Sequence, residues 1–211
     1  MYNRKINWEL RSRIFLSFLI ATFILLDVFL ISYSISYYNY QQINEQNNLI
    51  YEYLMEINAS LSRFSCDGRL LFEASYRLDD VGAKLDILER RFGFQDERVL
   101  EQKKLYTELE FLHFNLIKRL NQACDNTFPF IFFFYSNYGN IKEESDRIAS
   151  VLSSLKRQNS NVMIYSFDYN LDSGIIGNLK RQHNIVKVPS ILINEKDIFY
   201  SPRINEIQGY L

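Results

Sequence analysis

One stretch constrains this chain more than any other: residues 14–35 read IFLSFLIATFILLDVFLISYSI, 22 residues in which Asp27 is the only charged side chain. A helix rising about 1.5 Å per residue extends such a run to roughly 33 Å, enough to cross the hydrocarbon core of a bilayer. Basic residues flank it on one side alone. Arg4, Lys5, Arg11 and Arg13 precede it against a single acid, Glu9, and the next Lys or Arg after Arg13 is Arg63. The positive-inside rule therefore assigns residues 1–13 to a cytoplasmic tail, 14–35 to a single-pass transmembrane helix, and everything beyond to the extracytoplasmic side. A cleaved signal peptide is the competing reading, with Ser34 and Ser36 as small residues near its end. The apolar region of such a peptide is about 7–15 residues, shorter than this one. Asp27 reads either as a contact to another membrane helix or as a polar residue tolerated in a very apolar segment, at about 2.5–3.5 kcal/mol on insertion scales. Tyr33, Tyr37, Tyr38 and Tyr40 suit the outer interfacial belt.

The chain as a whole has the composition of a folded protein: 47% hydrophobic and 16% aromatic, with only 7 Gly and 3 Pro. A net charge of −1 gives no electrostatic footprint for nucleic acid. The two Cys and two His lie at no ligand spacing, so no metal is expected. The sequence carries no GxGxxG, Walker loop, GxSxG or HExxH, and no cofactor is expected. His113 and His183 read as ordinary solvated or hydrogen-bonded residues.

Beyond the anchor, residues 36–126 have helical periodicity. Ile43, Ile50, Leu54, Ile57, Leu61 and Phe64 form one stripe with Asn47 in its gap, Leu71, Ala74, Leu78, Val81, Leu85, Leu88 and Phe92 a second, and Tyr106, Leu109, Leu112, Leu116 and Leu120 a third. Breaks at residues 66–68 and 92–94 contain glycine, and Asp96 is placed to cap the third helix. An extracytoplasmic stalk of antiparallel, coiled-coil-like helices follows, and it offers a surface for self-association, as does the membrane helix. Helices of similar length return Cys124 to the level of Cys66. These are the only cysteines, and an exported location permits a disulfide. A structural bridge is the first reading and a redox-active pair the second, because CxxC proximity is lacking.

The pattern changes at residues 127–211. Residues 128–135 read FPFIFFFY, a buried strand; 141–158 form a helix, 162–167 a strand, 171–183 a helix, 190–193 and 198–200 two more strands, and a short helix ends the chain. This β-α-β-α-β-β-α order makes an α/β domain with one mixed sheet. The order, the Val188-Pro189-Ser190 sequence opening the third strand, the FFYSN run from Phe133 to Asn137, and the positions of Cys66 and Cys124 resemble membrane-anchored thioredoxin-like proteins from small-genome archaea. The resemblance implies a thioredoxin-like C-terminal domain and a cis bond before Pro189. It also implies a CxxC at the start of the first helix of that domain, where this chain has Gly139-Asn140-Ile141-Lys142. Thiol–disulfide exchange needs a thiolate and a resolving thiol, and no cysteine stands there. The expectation is a membrane-anchored, non-catalytic module that binds extended peptides or exported proteins, or serves as a scaffold. Its surface is Tyr138, Gly139, Asn140, Ile141, Lys142, Val188 and Pro189. The alternative is an oxidoreductase that uses Cys66 and Cys124 or acts with a redox partner.

Overall fold

A computed structural model describes residues 2–62, 66, 68–124 and 128–210. The chain divides into two units, Met1–Glu45 and Gln46–Leu211. Helix α1, Tyr2–Ser62, contributes to both.

In the first unit, Leu10–Asn39 is long and apolar enough to cross a membrane, and none of it is buried within the protein. Length and composition of this kind also suit a signal sequence. Ser17, Thr22 and Ser34 donate to the carbonyls of Arg13, Phe18 and Leu30 one turn back, at 2.8–2.9 Å. Such back-bonding satisfies polar groups inside an apolar helix.

The second unit holds the end of α1, then α2 (Gly68–Phe92), α3 (Glu97–Ala123), β1 (Phe130–Tyr135), α4 (Gly139–Gln158), β2 (Met163–Asp168), α5 (Gly174–Gln182), β3 (Ser190–Ile193), β4 (Asp197–Tyr200), α6 (Ile204–Ile207) and a closing 3₁₀ turn. Gly93 ends α2 at φ +88°, a left-handed conformation that favours glycine, and its N–H bonds the Glu89 carbonyl. Asp96 caps α3, its carboxylate accepting from the Arg98 N–H at 3.0 Å, as the sequence predicts.

The sheet has the order β2-β1-β3-β4, with β2 parallel to β1 and both β3 and β4 antiparallel to their neighbours. Its central strand is the uninterrupted run FIFFFY, which suits a position buried on both faces. Phe130, Phe132, Phe134, Tyr165, Phe167 and Leu192 share a core with residues of α3 and α5. The opposite face, Ile131, Phe133, Ile191 and Ile193, packs with Ile148, Leu152 and Leu155 of α4 and Ile207 of α6. Phe114 of α3 anchors the first face, its ring edge-on to Phe132 at 4.8 Å and to Phe130 at 5.0 Å.

Two outcomes bear on the expected stalk. Cys66 and Cys124 are joined, with Cα atoms 5.9 Å apart, fastening the end of α3. Packing also runs across residues 126–127. Ile50, Tyr53 and Ile57 of α1 and Leu71, Leu78 and Val81 of α2 belong to the same core as the aromatic sheet face. The physical reason is α3. It buries eleven residues, too many for one seam, because it packs against α2 and also covers the phenylalanines of β1.

Candidate functional site

The predicted site residues lie at one end of the sheet. Phe134 pairs with Ser190 at the limit of the β1–β3 ladder. Continuing that antiparallel register sets Tyr135 across from Pro189 and Ser136 across from Val188. The Val188–Pro189 bond is cis. Pro189 is buried and Val188 half-buried, and among the described residues neither backbone group of Val188 pairs with another backbone group. From Ser136 the chain turns into α4, whose first residues Gly139, Asn140, Ile141 and Lys142 are exposed. Gly139 has φ +53°, so a side chain there would be strained although the space is open. Tyr138, the N-cap, provides no side-chain cap to the first turn of α4.

Both described cysteines are in the disulfide, so this surface has no thiol. Lys142 is engaged by Asp146, one turn along α4, at 2.6 Å. Exposed Tyr138 and Ile141 supply apolar contact, and the ring of Tyr138 meets Phe94 of the α2–α3 turn edge-on at 5.2 Å. Phe94 is a member of this surface that sequence reasoning did not single out.

Beneath the surface lies a polar network, also absent from the sequence reading. Lys103 of α3 is buried, and its ammonium contacts the Asp168 carboxylate at 2.7 Å and that of Glu89. Asp168, at the end of β2, also accepts from the Asn170 N–H at 3.0 Å. The Asn170 side-chain Oδ1 accepts from Ser136 Oγ at 2.6 Å, and the Ser136 N–H donates to Ser145 Oγ at 3.1 Å. The loop under the candidate surface is thereby tied to β2 and α4 by side chains from three elements.

Two further buried groups sit along α3. Glu110 accepts from the Ser166 N–H at 2.6 Å, and burial raises its pKa well above the usual carboxylate range. His113 lies between Tyr165 Oη, 2.8 Å from Nδ1, and Ser75 Oγ, 3.0 Å from Nε2. Burial, assisted by Lys156, lowers its pKa to about 4, so the ring is neutral at pH 7. A signal was available for these residues. Val99, Lys103, Tyr106, Glu110, His113, Ile117 and Leu120 follow each other at alternating steps of four and three, a buried row with polar members.

No family model matches the sequence, and no curated protein matches it. Among solved structures, the chain is similar to oxidized thioredoxin O2 from Arabidopsis thaliana, with 21% identity and a TM-score of 0.34 over 46% of this chain and 81% of that one.

Proposed function

We propose that this protein is a membrane-anchored, extracytoplasmic thioredoxin-like module that binds an extended peptide and has no dithiol chemistry of its own. The apolar helix with its one-sided basic flank supports the anchor and its direction. A mixed sheet of order β2-β1-β3-β4, flanked by helices on both faces, supports the thioredoxin-like reading. The observation that carries the binding function is Val188. Its N–H and C=O have no backbone partner among the described residues, and they lie at the same end of the sheet as the thiol-free start of α4. A peptide strand laid there gains main-chain hydrogen bonds without any cysteine. Tyr138, Ile141 and Phe94 then offer apolar contact to its side chains.

Screening the full-length protein in nanodiscs against a library of extended peptides tests this. Binders are expected to lose about tenfold or more in affinity with Val188→Pro, which removes one donor, in keeping with about 1.4 kcal/mol for a hydrogen bond left unmade. Insulin reduction is expected to be absent. Binding indifferent to Val188→Pro, or catalytic disulfide reduction by the wild-type protein, would overturn the proposal.

A further inference from the structure

Alongside the open edge of β2 lies a cavity of about 510 Å³, walled by α2, α3 and α4. Helix α2 faces this edge across the cavity, and the Asp79–Lys156 pair, at 3.0 Å, links α2 to α4. The volume falls in the range of about 300–1,000 Å³ found for small-molecule sites. The interior is amphipathic: Tyr106, Tyr135, Phe133 and Ile164 give it rings and apolar wall, and the Glu89–Lys103–Asp168 cluster gives it a charged end.

The charges there do not balance. At the cavity's other acids, each carboxylate has its own cation: Asp79 with Lys156, Asp86 with Arg90 at 2.7 Å, and Asp146 with Lys142. Lys103 alone serves two carboxylates, Glu89 and Asp168, of which Asp168 is only 6% exposed. One formal negative charge is left over in the cluster, whose Glu89 side chain is 21% exposed toward the cavity. Removing charge from water without full compensation is costly, and a cation entering the cavity would offset that cost. Tyrosine ring faces attract cations in the same way, as the Lys103 ammonium 5.6 Å from the Tyr135 ring centroid illustrates.

We propose that this cavity binds a small organic ammonium ion, its charge against Glu89 and its aliphatic or aromatic body against Tyr106, Tyr135 and Ile164. The proposal does not rest on the peptide-binding reading, although the Lys103 cluster at the cavity's charged end also underlies the peptide surface. An anion would meet the excess negative charge, and a neutral ligand would leave it uncompensated.

Calorimetric titration of the full chain in nanodiscs, with empty nanodiscs as blank, would compare phenethylamine, phenethyl alcohol and phenylacetate. Phenethylamine is expected to bind at least tenfold more tightly than the alcohol, and phenylacetate to show no saturable binding. Glu89→Gln leaves Lys103 paired with Asp168 and should erase the preference of amine over alcohol. Ser153→Trp, at an exposed position on the cavity wall, should abolish binding of both, and it remains informative if Glu89→Gln fails to fold. No binding of the amine, equal binding of amine and alcohol, or binding untouched by either variant would overturn the proposal. A capped lysine that binds more tightly than phenethylamine would assign the site to a partner's side chain and equally overturn it.

Discussion

Against α4 and α6 the sheet turns Ile131, Phe133, Ile191 and Ile193, and these helices answer with Ile148, Leu152, Leu155 and Ile207. Against α3 and α5 it turns a set of aromatic rings, and α3 brings Lys103, Glu110 and His113 into the same layer. The first face is held by apolar area, so the loss of a side chain is graded by the cavity it leaves. The second is held by pairs. There the loss of one group leaves its buried or half-buried partner unpaired. Conservation of volume protects a residue on the first face and does little on the second.

The largest expected effect breaks a pair. Lys103→Met keeps most of the volume but leaves Glu89 and Asp168 without their cation, and it should cost about 3–5 kcal/mol in chemical denaturation. Leu152→Met, a comparable volume-conserving change on the apolar face, should cost less than about 1.5 kcal/mol. Equal losses from the two would erase the distinction between the faces.

A somewhat smaller effect is expected from the bridge that fastens α3. Cys66→Ala should destabilise by about 2–5 kcal/mol. Hydrogen exchange should rise first in α2 and α3 while α4 stays protected, if the two faces respond separately.

The third test is pH. His113 has a folded pKa of about 4, below its unfolded value of 6.5, so the unfolded chain binds the proton first. Stability should therefore be lost as pH falls from 6.5 toward 4, by up to about 3 kcal/mol, and the slope from this group ends below its folded pKa. His113→Gln should flatten that limb. Glu110 acts in the opposite direction. Its folded pKa is raised by burial, so its contribution is intact below the ordinary carboxylate pKa and is lost as pH rises above it. Glu110→Gln, which keeps an acceptor for the Ser166 N–H, should remove that loss. Denaturation curves across pH 4–9 for the two variants would check both signs.

Much of this molecule was legible in local pattern. The apolar span, the strand runs at residues 128–135 and 190–193, the cap at Asp96 and the absence of cysteine at residues 139–142 each follow from composition or spacing within a short window. The disulfide was legible too, because two helices of similar length carry Cys124 back to Cys66. Lys103, Glu110 and His113 carried a partial signal, their place in the four-and-three register of α3, but nothing local showed which distant groups they would meet.

Sequence by itself determined where this chain is helical, where it is extended, which segment suits a bilayer and which chemistry the start of α4 lacks, because periodicity and residue type act over a few neighbours. Tertiary structure alone decided that α3 joins the helices to the sheet as one body from residue 46 onward. It also decided that Lys103 meets Asp168, 65 residues away, and that His113 meets Tyr165, 52 residues away. Those partners are chosen by sheet register and helix placement. A buried charge acquires its meaning only from the group that the fold sets opposite it.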